Sequence, residues 1–80
     1  MNFAVYSKEG CPYCEKIKKV LDLTKISYVV YNLGEHFDKK SFYDEFGEGS
    51  TFPQVVVDGQ KLGGCVDSIK FLQEKKVINV

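Results

Sequence analysis

The 80-residue chain contains no arginine and no tryptophan, and only two prolines and three cysteines. Its eleven lysines balance eleven acidic residues to a formal charge of zero. The split is mild, with seven lysines against five acids in residues 1–40 and four against six in 41–80. Phosphate-backbone binding draws on concentrated positive charge, and base reading most often uses the two-pronged arginine that is missing here, so a nucleic-acid partner is not expected. Apolar runs stop at four or five residues, far short of the roughly 20 that span a bilayer, and no membrane association is expected. Met1-Asn2-Phe3 opens into a strand pattern instead of a basic leader, so export is not expected either. Three unevenly spaced cysteines are too few for a secreted disulfide framework. A reducing, cytoplasmic setting follows as the expectation, in which a disulfide would be a reaction participant.

What is present describes a folded chain: 44% apolar, 14% aromatic and 28% charged residues, with seven glycines. One domain over residues 1–80 is expected. At this size only about 60% of the unfolded surface can be buried, so most aliphatic side chains and Phe3, Phe42, Phe46 and Phe71 are needed for packing. Phe3-Ala4-Val5-Tyr6 reads as a buried strand ended by Ser7-Lys8-Glu9-Gly10. Pro12 suits a first helical position, and Ile17, Val20 and Leu21 recur at helical spacing, predicting a helix over about 12–24. Tyr28-Val29-Val30-Tyr31 is a second strand, parallel to the first because a helix of this length makes the crossover. Asp38 could cap a helix carrying Phe42 and Phe46 on one face, ended by Gly47-Glu48-Gly49-Ser50. Gln54-Val55-Val56-Val57, the turn Asp58-Gly59 and Gln60-Lys61-Leu62 read as a hairpin. After Gly63-Gly64, a last helix carries Ile69, Leu72 and Phe71 and ends near Lys75-Lys76. The order β-α-β-α-β-β-α predicts an α/β fold, a four-stranded mixed sheet with helices on both faces.

Cys11-Pro12-Tyr13-Cys14 is the sharpest feature, because it follows a strand and opens a helix. The first thiol lies beside the helix's unpaired N–H groups, whose partial positive charge favours thiolate. Cys11 is the expected nucleophile and Cys14, one turn inside, the resolving thiol. A staple closing so short a loop would remove only about 2 kcal/mol of unfolded-state entropy, which argues for chemistry over support. A zinc site would need His36 and Cys65 from distant loops, without a second closely spaced ligand pair. Cys65 suits buried packing, with a third redox site as the alternative, and His36 suits ordinary surface.

Together, Cys11-Pro12-Tyr13-Cys14, Thr51-Phe52-Pro53 and Gly63-Gly64-Cys65-Val66-Asp67 make the chain similar to dithiol glutaredoxins, in order and spacing, over essentially its whole length. The resemblance implies a thioredoxin-like fold, glutathione as reductant and co-substrate, and no bound cofactor or metal. It implies a cis peptide bond at Pro53; read alone, Pro53 is better taken as a trans residue opening the strand at Gln54. Phe52 would then offer its backbone N–H and C=O to the peptide part of glutathione. Lys8 and Gln54 would lie near the glycyl carboxylate, Tyr13 along the sulfur channel and Thr51 at its rim. Gly64 would let the chain approach the ligand, with the N–H groups of Cys65 and Val66 at the γ-glutamyl carboxylate and Asp67 at the γ-glutamyl ammonium. Val66 stands where the family commonly has a polar residue, which removes a side-chain bond and leaves the backbone contact.

The implied activity is reduction of protein disulfides and glutathione mixed disulfides by a monomer, with ribonucleotide reductase as a candidate electron acceptor. The rivals are a small redoxin reduced by thioredoxin reductase, a non-catalytic [2Fe–2S] carrier held by Cys11 and glutathione from two chains, and a redox-inert binding domain that reuses the fold, which an acidic thiol would argue against. Pro12 and Tyr13 disfavour the carrier, whose relatives usually have a smaller or more flexible pair there.

Overall fold

A computed structural model describes residues 2–75. Its elements are β1 (Phe3–Ser7), α1 (Pro12–Leu23), β2 (Tyr28–Asn32), α2 (Lys39–Phe46), β3 (Gln54–Val57), β4 (Gln60–Gly63) and α3 (Cys65–Glu74). The architecture is the expected thioredoxin-like one. The strands form one mixed sheet in the order β2-β1-β3-β4, with β1 parallel to β2 and antiparallel to β3.

Alternation along β1 sorts the two faces of this sheet. Phe3, Val5 and Ser7 are buried on one side, whereas Ala4 and Tyr6 face the other. Helices α1 and α3 cover the first face: Ile17, Leu21, Cys65 and Leu72 close over Phe3, Val5, Val55 and Val57. Burial of each such aliphatic or aromatic side chain contributes about 1.5–3 kcal/mol, so this cluster dominates the stability. Helix α2 lies on the second face, where Phe46 meets Tyr6 at 4.9 Å between ring centroids. Phe42 is buried there, while Phe46 and Phe71 are half-buried at the margins of their clusters.

Local signals set the element ends. α1 stops one residue short of expectation, because the Thr24 hydroxyl turns back to donate to the Val20 and Leu21 carbonyls at 3.0 and 3.1 Å. Tyr28 secures β2 to α1 by donating to Asp22 Oδ1 at 2.7 Å; burial and this bond push its phenol up to about 12. Asp38 caps α2 by accepting from the Ser41 N–H at 2.8 Å, which holds its carboxyl below the usual range. Asp58 and Gly59 both take positive φ, 49° and 84°, as the two-residue hairpin requires. Lys61 on β4 donates to the Glu45 carbonyl and sits 5.5 Å from the Phe46 ring, joining that edge to α2. α3 ends at Glu74 with Lys75 as its cap, and Lys76 lies outside the described residues. Among the described residues no helix is long and apolar enough to cross a membrane.

Candidate active site

After β1 the chain turns through Gly10, at φ 73°, straight into α1. Cys11 is the N-cap, in extended geometry, and Pro12 takes the first helical position. The Cys11 Sγ accepts from the Cys14 N–H at 3.2 Å, so sulfur does the work that serine or aspartate oxygen does at other helix starts. Negative charge developing at this sulfur is stabilised by the same donor and by the helix N-terminus. Cys11 and Cys14 are joined as a disulfide, with Cα atoms 5.2 Å apart.

Burial separates the two sulfur-bearing residues. Cys11 is 7% exposed and Cys14 0%. Cys11 is thus more enclosed than a polar turn suggests, because its side chain folds back onto the helix start. An incoming disulfide can approach only Cys11, and Cys14 can act only on what Cys11 has captured.

Beside the pair lies a groove of about 300 Å³. Tyr13 lines it from α1; Thr51, Phe52, Pro53 and Gln54 from the approach to β3; Gly63, Gly64, Cys65, Val66 and Asp67 from the corner into α3. The Phe52–Pro53 peptide bond is cis, and Pro53 is buried. Tyr13 and Val66, 58% and 70% exposed, form outward-facing apolar flanks. One Gln54 amide hydrogen is used on the Thr51 carbonyl at 2.8 Å, which leaves its second hydrogen and its oxygen for a ligand.

The first turn of α3 has Gly64 as N-cap and no side-chain cap. Its leading N–H groups therefore point at the groove without an internal acceptor, a ready site for a carboxylate. Gly63 holds the corner at φ 105°, and a Cβ there would stand 2.6 Å from Asp67 Oδ2. A Cβ on Gly64 would make an ordinary 3.6 Å contact with the Pro53 carbonyl. Gly63, more than Gly64, is the glycine that the geometry demands.

Lys8 is the expected site residue that the groove lining omits. It borders a neighbouring depression with Glu9, Glu15 and Asn32, and its ammonium lies 5.4 Å from the Phe52 ring centroid. Cys65 serves both core and groove; burial pushes its thiol up, against the opposing pull of Lys16. His36 accepts the Asn32 N–H at 2.9 Å on Nδ1, a loop-forming role. Among the described residues no three His, Cys, Asp or Glu side chains group as metal ligands.

A larger cavity of about 420 Å³, lined by Tyr6, Tyr31, Phe37, Phe46 and their neighbours, contains no cysteine and includes Phe42 in its wall. Phe42 also stacks on Phe52, with centroids 4.2 Å apart and planes at 12°. Phe42 is buried as expected of a core residue, and its link to the groove is a feature the sequence does not reveal directly. The available signal was aromatic density, with Phe37, Phe42, Tyr43, Phe46 and Phe52 close together in sequence.

Two cysteines one helical turn apart, paired as a disulfide and reachable only through the outer one, define a thioredoxin-like dithiol protein that exchanges disulfides. Known proteins narrow that class. The glutaredoxin family model matches residues 3–62. Glutaredoxin 1 of Rickettsia prowazekii is 34% identical over 76 residues, covering 91% of this chain and 79% of its own. Among solved structures, glutaredoxin 1 from Francisella tularensis superposes with a TM-score of 0.78 at 25% identity, covering 95% of each chain. A buckwheat glutaredoxin–glutathione complex gives 0.78 at 26% identity, covering 94% of this chain and 71% of that one. The chain belongs to the glutaredoxin family and is a thiol-disulfide oxidoreductase.

Proposed function

We propose that the protein reduces glutathione mixed disulfides and protein disulfides with glutathione as the electron source. The observation that carries this reading is the convergence on one groove of Tyr13, the Thr51–Gln54 segment and the Gly64–Asp67 segment. That groove offers donors for two carboxylates and an acceptor for an ammonium, which are the charged groups of the tripeptide. The superposition with a glutaredoxin bound to glutathione supports it.

With a glutathione mixed disulfide, the Cys11 thiolate attacks the glutathione sulfur. A Cys11–glutathione bond forms, the substrate sulfur leaves with the electron pair, and it takes a proton from solvent. A second glutathione thiolate then attacks the held glutathione sulfur, forming glutathione disulfide and returning Cys11 as thiolate. With a protein disulfide, the Cys11 thiolate attacks one substrate sulfur and the other leaves as a thiolate; Cys14, its proton given to solvent, then attacks Cys11 and the first substrate sulfur leaves in turn. The protein is left with the Cys11–Cys14 disulfide, which two glutathiones reduce in turn. By family resemblance ribonucleotide reductase is a candidate acceptor, and a reducing cytoplasm accords with the cysteine usage.

The test is turnover of a glutathionylated peptide and of a protein disulfide by wild type, Cys11→Ser and Cys14→Ser. Cys11→Ser should lose both activities, whereas Cys14→Ser should keep the first and lose the second. A Cys11→Ser variant active on the glutathionylated peptide, or a wild type indifferent to glutathione, would refute the reading.

A further inference from the structure

We infer that Phe42 is a positioning residue for glutathione capture, acting through Phe52 from the reverse side of the groove. This rests on the glutathione reading above and adds to it a control point on α2, outside the groove.

The Thr51–Pro53 segment meets glutathione through backbone atoms, and a backbone pairing is only as good as the placement of the strand that offers it. Two features place the Phe52 backbone. One is the buried Pro53 that follows it. The other is the Phe52 ring, which lies against Phe42 at 4.2 Å and 12°. Phe42 is itself immobilised: it is 2% exposed, with Phe37 at 5.7 Å and Phe46 at 5.0 Å between centroids. Phe37 extends the layer to Phe52 directly, at 6.1 Å and 20°. Near-parallel aromatic layers in a packed interior resist sliding, since displacement loses dispersion contacts on every ring at once.

The same ring carries a second glutathione contact. The Lys8 ammonium lies 5.4 Å from its centroid, within cation–π range. Lys8 is outside the groove lining, so the Phe52 face is what holds its charge at the edge where the glycyl carboxylate would sit. Two ligand contacts, a backbone pairing and a charge, therefore depend on one ring, and that ring depends on Phe42. Chemistry at sulfur does not, because Cys11 is held by the Cys14 N–H and by α1.

The test measures KM for glutathione, kcat and the pH dependence of Cys11 alkylation in wild type, Phe42→Leu and Val57→Ala. Val57 is a core residue at the end of β3 away from the groove and serves as a matched loss of packing. Phe42→Leu should raise KM about 3–10-fold, as expected for loss of one aromatic stack, with kcat and the alkylation profile unchanged. Val57→Ala should lower thermal stability without moving KM. Lys8→Met should raise KM in wild type and by a clearly smaller factor in the Phe42→Leu background. Should Phe42→Leu fail to fold, Phe52→Leu must show the same rise in KM, since it removes the stack from the other side.

An unchanged KM in a folded Phe42→Leu, or in Phe52→Leu where that variant replaces it, would overturn the inference. Equal shifts in Phe42→Leu and Val57→Ala would do the same. Wild type without glutathione turnover would instead overturn the glutathione reading itself.

Discussion

Substituting Gly63 by alanine tests the corner that presents α3 to the groove. The added Cβ would lie 2.6 Å from Asp67 Oδ2, closer than Cβ contacts occur, and 3.2 Å from its Cγ, tighter than most, so the carboxylate must rotate away. The backbone angle of 105° adds strain of about 1–3 kcal/mol for a residue with a side chain. Thermal stability should fall by roughly 4–8 °C for each kcal/mol in a chain of this size. Displacing Asp67 removes the charge-assisted bond proposed for the γ-glutamyl ammonium. Such a bond contributes about 1.5–3 kcal/mol, so kcat/KM for glutathione should drop roughly 10–150-fold.

Asp67→Asn removes the same charge without touching the backbone. Its loss in kcat/KM should be similar with little change in melting temperature, and the double variant should be barely worse in kcat/KM than either alone. Gly64→Ala, whose Cβ meets only an ordinary 3.6 Å contact, should melt within a few degrees of wild type. Gly63→Ala with unaltered glutathione kinetics, or with losses that multiply fully with those of Asp67→Asn, would refute the steric reasoning.

Tyr28 supplies an alkaline transition. Its phenol is raised from an ordinary 10.0 to about 12, so its contribution is complete below pH 10 and lost as pH rises through about 12. Urea midpoints measured from pH 9 to 12 should fall more steeply in wild type than in Tyr28→Phe, and parallel curves would remove Tyr28 as the cause. Leu21→Ala opens a cavity in the α1 side of the core, where Leu21 is fully buried. Denaturant unfolding should show a loss of about 2–5 kcal/mol, and a loss below 1 kcal/mol would mean that the helices close over the gap.

Features set within a few residues were legible in the sequence. Pro12 behind Cys11, the Asp38 cap and the Asp58-Gly59 turn each act through local geometry and appear as expected. Pairing between distant segments was less legible. The parallel β1–β2 pair followed from the length of the crossover, whereas the antiparallel placement of β3 beside β1 depends on contacts fifty residues apart in sequence. The cis bond at Pro53 came only from family likeness, since nothing local to an X–Pro pair selects the rarer isomer. Lys8 shows a third limit: its charge is carried on a long stem, and the Phe52 ring that holds it lies forty-four positions away.

The register of β3 explains why the motifs form one site at all. Tyr6 pairs with Gln54, so the end of β1 that leads to Cys11 lies beside the start of β3, where Pro53 enters. Val55 pairs with Gly63, so β4 runs back and delivers the corner into α3 to that same end of the sheet. Three segments widely separated in sequence meet because β3 runs against both of its neighbours. Were β3 parallel to β1 in the same place, Pro53 would enter beside Phe3, a strand length of about 13–17 Å from the end leading to Cys11. The cysteines would still cap α1 and still form their disulfide, but the groove proposed to select a tripeptide would not stand beside them. Disulfide exchange is thus a property of one helix start, and its specificity a property of the sheet.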